Sequence, residues 1–158
     1  MTALGLDDRD LAFGFTANFF VRGTPKAQPR AKATMRGKHA SVYDPGTAEG
    51  WKNCVVRDAR PYRPDEPIEQ PVSLSLVFLM PRPKRLMRKR DPRGVLPHAS
   101  KPDRDNLEKA VLDALTQDGW FRDDCQVCGG SVEKLYHDKA GVPGCYIMVK
   151  VIEGMVAA

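Results

Sequence analysis

From Lys101 to Val127 the chain reads KPDRDNLEKAVLDALTQDGWFRDDCQV. At about 100° per residue, Leu107, Ala110, Val111, Ala114 and Leu115 fall on one face, a stripe wide enough to bury a helix against a sheet. Asp105 and Lys109, spaced i,i+4, share the opposite side and stay free for chemistry. Gln117-Asp118-Gly119 ends the helix, and Trp120 to Cys125 returns the chain to the sheet. Two carboxylates, Asp103 and Asp105, stand at the mouth of this helix, and two more, Asp123 and Asp124, stand just past its far end. Like charges a few Å apart raise one another's pKa unless a cation neutralises them, so the set reads as a divalent-metal site. The reversal after the helix is expected to carry Asp124 back near the helix start, where three carboxylates from two elements converge.

Each acid also has a structural reading. Asp103 can cap the helix, Asp105 can complement its dipole, and Asp118, Asp123 and Asp124 can be turn residues beside Gly119. An EF-hand reading of Asp103-Arg104-Asp105-Asn106 fails, because Leu107 takes the next ligand position and neither the glycine turn nor the closing glutamate follows. No phosphate-cradling glycine loop is present, and His39, His98 and His137 are scattered.

The same alternation of patterns orders the rest of the chain. Phe13 to Val21 is aromatic and β-branched enough for a strand ending at Gly23-Thr24-Pro25. Asp44-Pro45 opens a helix with Trp51, Val55 and Ala59 at i, i+4 and i+8, closing near Arg60-Pro61. Val72 to Met80, between Pro71 and Pro81, is apolar enough for a central strand. Val127 to Tyr136 and Tyr146 to Ile152 read as closing strands joined by a hairpin at Gly141-Val142-Pro143-Gly144. The expectation is a single α/β (α+β) domain over residues 1–158, with a mixed sheet of about four strands and two main helices in the order β-α-β-α-β-β, and with a flexible stretch over 1–11. At 158 residues such a domain buries a core without disulfides.

Charge is segregated along this chain. Its net charge is +5, yet from Arg22 to Tyr43 there are six Lys and Arg and no acid, and from Pro81 to Lys101 eight against Asp91. The remainder is acidic. Positive segments around an acidic pocket suit a polyanion handled through metal ions. The Pro81–Lys101 segment, with four prolines to Ser100 and little apolar periodicity, is expected to be a mobile loop in the absence of ligand. The stretch MTALGLDDRDLAFGF is acidic before its first apolar run, and no run is long enough to span a bilayer, so a cytoplasmic protein is expected. Cys54, Cys125, Cys128 and Cys145 then read as reduced thiols, and the lone Cys125-x-x-Cys128 lacks the partners of a zinc site.

The segment KPDRDNLEKAVLDALTQDGWFRDDCQV resembles the RusA family of Holliday junction resolvases, whose hallmark is Lys/Arg-Pro-Asp-x-Asp-Asn-Leu-x-Lys, then Asp-Ala-Leu and Asp-Asp-x-Gln-Val. Gly23-Thr24-Pro25 with Pro29-Arg30, Val42-Tyr43 before a Trp-bearing helix, and Pro81-Arg82-Pro83 extend the resemblance over most of residues 15 to 153. It implies a small homodimeric endonuclease, of a kind common in phages and prophages of bacterial hosts, that needs Mg2+ or Mn2+ and cuts four-way DNA junctions. It further implies that Asp103, Asp105 and Asp124 are the metal-binding catalytic carboxylates, with Lys109 catalytic beside them and Asp123 a supporting acid. Asn106 then orients a carboxylate or a water. Arg30, Lys32, Lys84, Arg85 and Lys101 are the candidate phosphate contacts, and Asn106 is counted with them as a DNA-binding residue. Two departures stand out. Cys125 replaces the more usual Ser, Ala or Arg, and Pro97-His98-Ala99-Ser100 offers no large apolar residue to part a junction centre. The competing readings are a flap or branched-DNA nuclease acting in phage replication or packaging, and a non-catalytic junction-binding module.

Overall fold

In the computed structural model, which describes residues 11–43 and 46–155, the chain runs β1 (Leu11–Arg22), β2 (Lys32–Arg36), β3 (His39–Tyr43), α1 (Glu49–Ala59), β4 (Val72–Met80), β5 (Leu96–Pro97), α2 (Arg104–Gln117), β6 (Val127–Gly129), β7 (Val132–Tyr136) and β8 (Gly144–Met155). Single 3-10 turns occupy Arg60–Tyr62, Lys84–Leu86 and Asp124–Gln126. Asp44 and Pro45 lie outside the described residues, but α1 starts later than they would have it, at Glu49 with Ala48 as its N-cap; of the expected flexible stretch only Leu11, which begins β1, is described.

The main sheet has six strands. Its order is β1-β8-β4-β7-β5, with β6 pairing β4 beyond the start of β7. β8 runs antiparallel to β1 and β4, whereas β6 and β7 run parallel to β4. A parallel neighbour needs a crossover, and α2 provides it. Cross-strand pairs Leu76↔Ile147 and Leu74↔Val149 continue into Phe19 and Ala17 of β1, so three strands share one buried face. On that face Trp51, Val55 and Ala59 of α1 and Leu107, Ala110, Val111, Ala114 and Leu115 of α2 complete the core. Both helices thus show the stripe their periodicity predicts.

The mixed α+β architecture matches expectation, but four strands is too few. β5 and β6, two and three residues long, are too short to carry a period. The expected hairpin between the closing strands is also absent. β4 lies between β7 and β8, because a strand as apolar as VSLSLVFLM must be paired along both edges. For the same reason its edges are not available for pairing with a second subunit.

Both basic segments carry structure. Lys32 to Tyr43 is an antiparallel hairpin whose two-residue turn begins at Gly37, φ 64°. In the second segment, expected to be a mobile loop, Arg82 is buried and its guanidinium donates to the carbonyls of Leu86 (2.9 Å), Gly94 (2.8 Å) and Pro92. Lys139 Nζ adds bonds to the Arg88 and Asp91 carbonyls, both 2.6 Å. Charge that reads from sequence as solvated loop is here spent partly on folding the loop.

The link from β6 to β7 passes hard against β4. Gly130 has φ 111°, and a Cβ built on it would stand 1.9 Å from the Leu74 carbonyl oxygen. Gly130→Ala should therefore destabilise the protein by about 2–4 kcal/mol, combining backbone strain with a clash that backbone must absorb. The urea midpoint measures this, and an unchanged midpoint would mean that the link does not run against β4.

Candidate active site

The entrance to α2 is clamped by β7. Lys134 Nζ donates to the carbonyls of Ser100 and Pro102, both 2.6 Å, and Arg104 Nη1 to that of Val132 at 3.2 Å. From the other side the Gln28 amide donates to the Asn106 carbonyl at 2.8 Å. Leu107, fully buried, anchors the first turn in the core. Backbone held on three sides presents Asp103, at the N-cap with extended φ −70° and ψ 144°, and Asp105 one turn in.

An aspartate at an N-cap ordinarily spends its carboxylate on the first free amides of the helix. Asp103 does not: its side chain makes no capping bond. Both Asp103 and Asp105 are exposed, and among the described residues neither carboxylate has an ion pair or a side-chain hydrogen bond. Lys109 is exposed one turn beyond Asp105, without an ion pair to it. The cap and i,i+4 pair that would make these residues merely structural are not formed.

The second acidic pair divides its labour. Asp123 Oδ1 accepts the Cys125 amide at 2.9 Å, and Gln126 Oε1 accepts those of Arg122 (2.9 Å) and Asp123 (3.0 Å), a capping box on the 3-10 turn. Gln126 Nε2 reaches the Ile68 and Gln70 carbonyls at 2.8 and 3.1 Å, fastening the turn to the segment that leads into β4. The Cys125 amide holds the Asp123 carboxyl below its usual range, and the same carboxylate raises the Cys125 thiol. Asp123 thus serves the turn, and Asp124 is presented on it, exposed. Gln126 and Lys134 are positioning residues that the sequence reading did not single out. The Asp-x-x-Gln spacing is a capping signature that would have shown the first; nothing in sequence marks the second.

Asp124 does not return to the helix start. It lines a cavity of about 230 Å³ with Asp113, Thr116, Gln117, Arg122 and Asp123. Asp113 is eight residues past Asp105, about 12 Å further along the axis at 1.5 Å per residue. Asp113 itself pairs with Lys52 of α1 at 3.7 Å; Lys52 is buried and also meets Glu49 at 3.6 Å. Among the described residues no three His, Cys, Asp or Glu stand close enough to hold a metal ion together. The donor chemistry of the entrance nevertheless fits a hard divalent cation. Asp103 and Asp105 are free carboxylates, and Mg2+ is commonly held by one or two such groups together with waters and substrate phosphates.

Exposed cations stand on the chain segments that touch or lead into this entrance. Arg30 and Lys32, both exposed, follow Gln28, which bonds Asn106, itself half-buried. Arg85 lines a cavity with Pro97, Ala99, Ser100 and Tyr136, beside the strap that continues through the exposed Lys101 to Asp103. Lys84 is exposed next to it. Cys125 and Cys128 are exposed and unpaired. Among the described residues no helix is long and apolar enough to cross a membrane.

Comparison with known proteins identifies the family. A Bacillus subtilis (strain 168) protein named "Uncharacterized protein YqaN" is 33% identical over 129 residues, covering 78% of this chain and 90% of that protein. The model of the family described as Endodeoxyribonuclease RusA matches residues 22–150, a span holding both basic segments, the α2 entrance and the Asp123-Asp124 turn. With this match over most of its length, the chain belongs to the RusA family, which implies a Holliday junction endodeoxyribonuclease of a kind generally dependent on a divalent metal.

Proposed function

We propose that this chain resolves four-way DNA junctions by Mg2+- or Mn2+-dependent phosphodiester hydrolysis, acting as a homodimer in the bacterial cytoplasm. The observation that carries the reading is the pair Asp103 and Asp105, kept exposed and unneutralised on a backbone braced by Lys134, Arg104 and Gln28. Neither carboxylate caps the helix or pairs with a cation among the described residues, so both stand free to take a divalent ion. A divalent ion bound there supplies an acidified water and charge relief for the phosphate.

Asp103 and Asp105 would hold that ion. Asp124, exposed on its own braced turn beside Asp113, is the third carboxylate that the family resemblance implies, and the Asp124→Asn variant tests whether it acts with the pair. Lys109 neutralises the charge that grows on the phosphate oxygens. Asn106 orients the Asp105 carboxylate, and Asp123 keeps the turn folded. Arg30, Lys32, Lys84, Arg85 and Lys101 bind backbone phosphates, which gives affinity and salt dependence with little sequence readout. A junction is nearly twofold symmetric, so a C2 dimer sets one site on each of two opposed strands.

Substrate comparison tests the assignment. Junction, flap and linear duplex are offered at equal concentration with Mg2+, and the junction should be cut fastest. Preference for the flap would assign the protein to branched-DNA processing instead, and tight binding without cutting would leave it a binding module. Lys84→Ala with Arg85→Ala should weaken junction binding and flatten the slope of log affinity against log salt by about one to two units. Both side chains are exposed and Arg82 keeps its carbonyls, so the thermal midpoint should not move.

A further inference from the structure

The β2–β3 hairpin contributes little to the fold. Its strands pair only with each other, and none of its described side chains belongs to the core. A two-stranded hairpin alone is marginal in water, so its surface reflects something other than packing within the chain. Alternation along the pairs Ala33↔Val42 and Met35↔Ala40 puts these four residues on one face. Met35 is 71% exposed and Val42 70%, more than any other large apolar side chain among the described residues. Such a face is out of place on a basic arm that water alone surrounds.

Charge complementarity decides what covers it. Arg22 to Tyr43 holds six Lys and Arg and no acid, so a second copy of the same face would bring like charge against like charge, whereas a polyanion is drawn in. The hairpin is also rooted at the active site, four residues after Gln28, whose amide is bonded to Asn106 at the α2 entrance. Five residues per strand give an arm about 16 Å long, enough to pass from a phosphate backbone to the axis of a duplex. Nothing lies within 4 Å of a Cβ at Gly37, so the turn at its tip is open.

We propose that this hairpin is a wedge for branched DNA, inserting Met35, with Val42 behind it, against a base pair that has lost its stacking neighbour at the branch point, while Lys32 and Lys38 hold the flanking phosphates. This rests on the junction-nuclease reading and adds how the centre is opened. The chemistry is that of a thioether or branched alkyl group replacing a stacked base, with unstacking offset by contacts the opened DNA then allows. It also supplies the apolar element that Pro97-His98-Ala99-Ser100 lacks.

The test uses the full chain and a four-way junction carrying 2-aminopurine beside the branch point, in EDTA so that no strand is cut. Wild type should raise the fluorescence as the base unstacks. Met35→Ser with Val42→Ser should bind with an unchanged salt slope, lose most of the rise, and with Mg2+ cut the closed junction about tenfold more slowly, the worth of one base-stacking contact. The same variant should cut at wild-type rate a junction whose centre is already opened by unpaired bases. Lys32→Ala with Lys38→Ala should instead flatten the salt slope by about one to two units. Full fluorescence rise in the serine variant would overturn the wedge, as would loss of a wild-type dimer on light scattering, which would make the face a subunit contact. If wild type cuts junctions without any rise, the wedge fails and the nuclease reading stands; if it neither binds nor cuts them, both fall.

Discussion

Asp103→Asn, Asp105→Asn and Asp124→Asn should each slow junction cleavage by at least about a thousandfold while leaving binding as tight or tighter, because under the proposed mechanism each removes a charged metal ligand and with it repulsion of DNA phosphates. Neither entrance carboxylate supports the fold through a cap or an ion pair among the described residues, so these variants should melt with wild type. Asp123→Asn is the internal control. Its carboxamide oxygen can still accept the Cys125 amide, so the turn persists and cleavage should stay within a few-fold of wild type. Asp124→Asn is the sharpest of the set, since Asp124 lies beside Asp113 and Thr116 and away from Asp105. Near-normal cleavage by that variant would confine Asp124 to its local cavity and leave the metal to the entrance pair.

Lys109→Ala should lose about a hundredfold or more in kcat with little change in junction affinity, because in the proposed mechanism its charge serves the reacting phosphate and matters most as negative charge develops there. Its structural alternative is small. An exposed i,i+4 pair with Asp105 would contribute only about 0.3–0.5 kcal/mol, and no such pair is formed. Lys109→Arg should recover part of the rate, since charge is kept while the compact ammonium is exchanged for a planar fork. Single-turnover rates and binding isotherms separate the two readings; an alanine variant that binds and cuts as before would leave Lys109 on a solvated face.

Much of this architecture is legible in the chain because burial imposes a period. The stripe of α2 and the Trp51, Val55, Ala59 stripe of α1 are core residues in both readings. The hairpin escaped because its apolar face is two alanines, Met35 and Val42, all facing solvent, so alternation there looks like a basic loop. The position of Asp124 escaped for a tertiary reason. Val127 pairs with Val72 at the beginning of β4, and that register sets the preceding turn beside the last turns of α2 instead of its first. Helix length alone cannot show where the returning strand joins the sheet. Arg82 and Lys134 show the same limit for charge: sequence does not mark which cations turn inward to hold carbonyls.

The most direct measurement is the mapping of cut sites on an end-labelled, immobile four-way junction incubated with the purified protein in Mg2+ and, in parallel, in EDTA. The account predicts paired incisions at symmetry-related positions on two opposed strands in Mg2+, and intact strands with the protein still bound in EDTA. Equal cutting in EDTA, or tight junction binding with no incision in Mg2+, would contradict it.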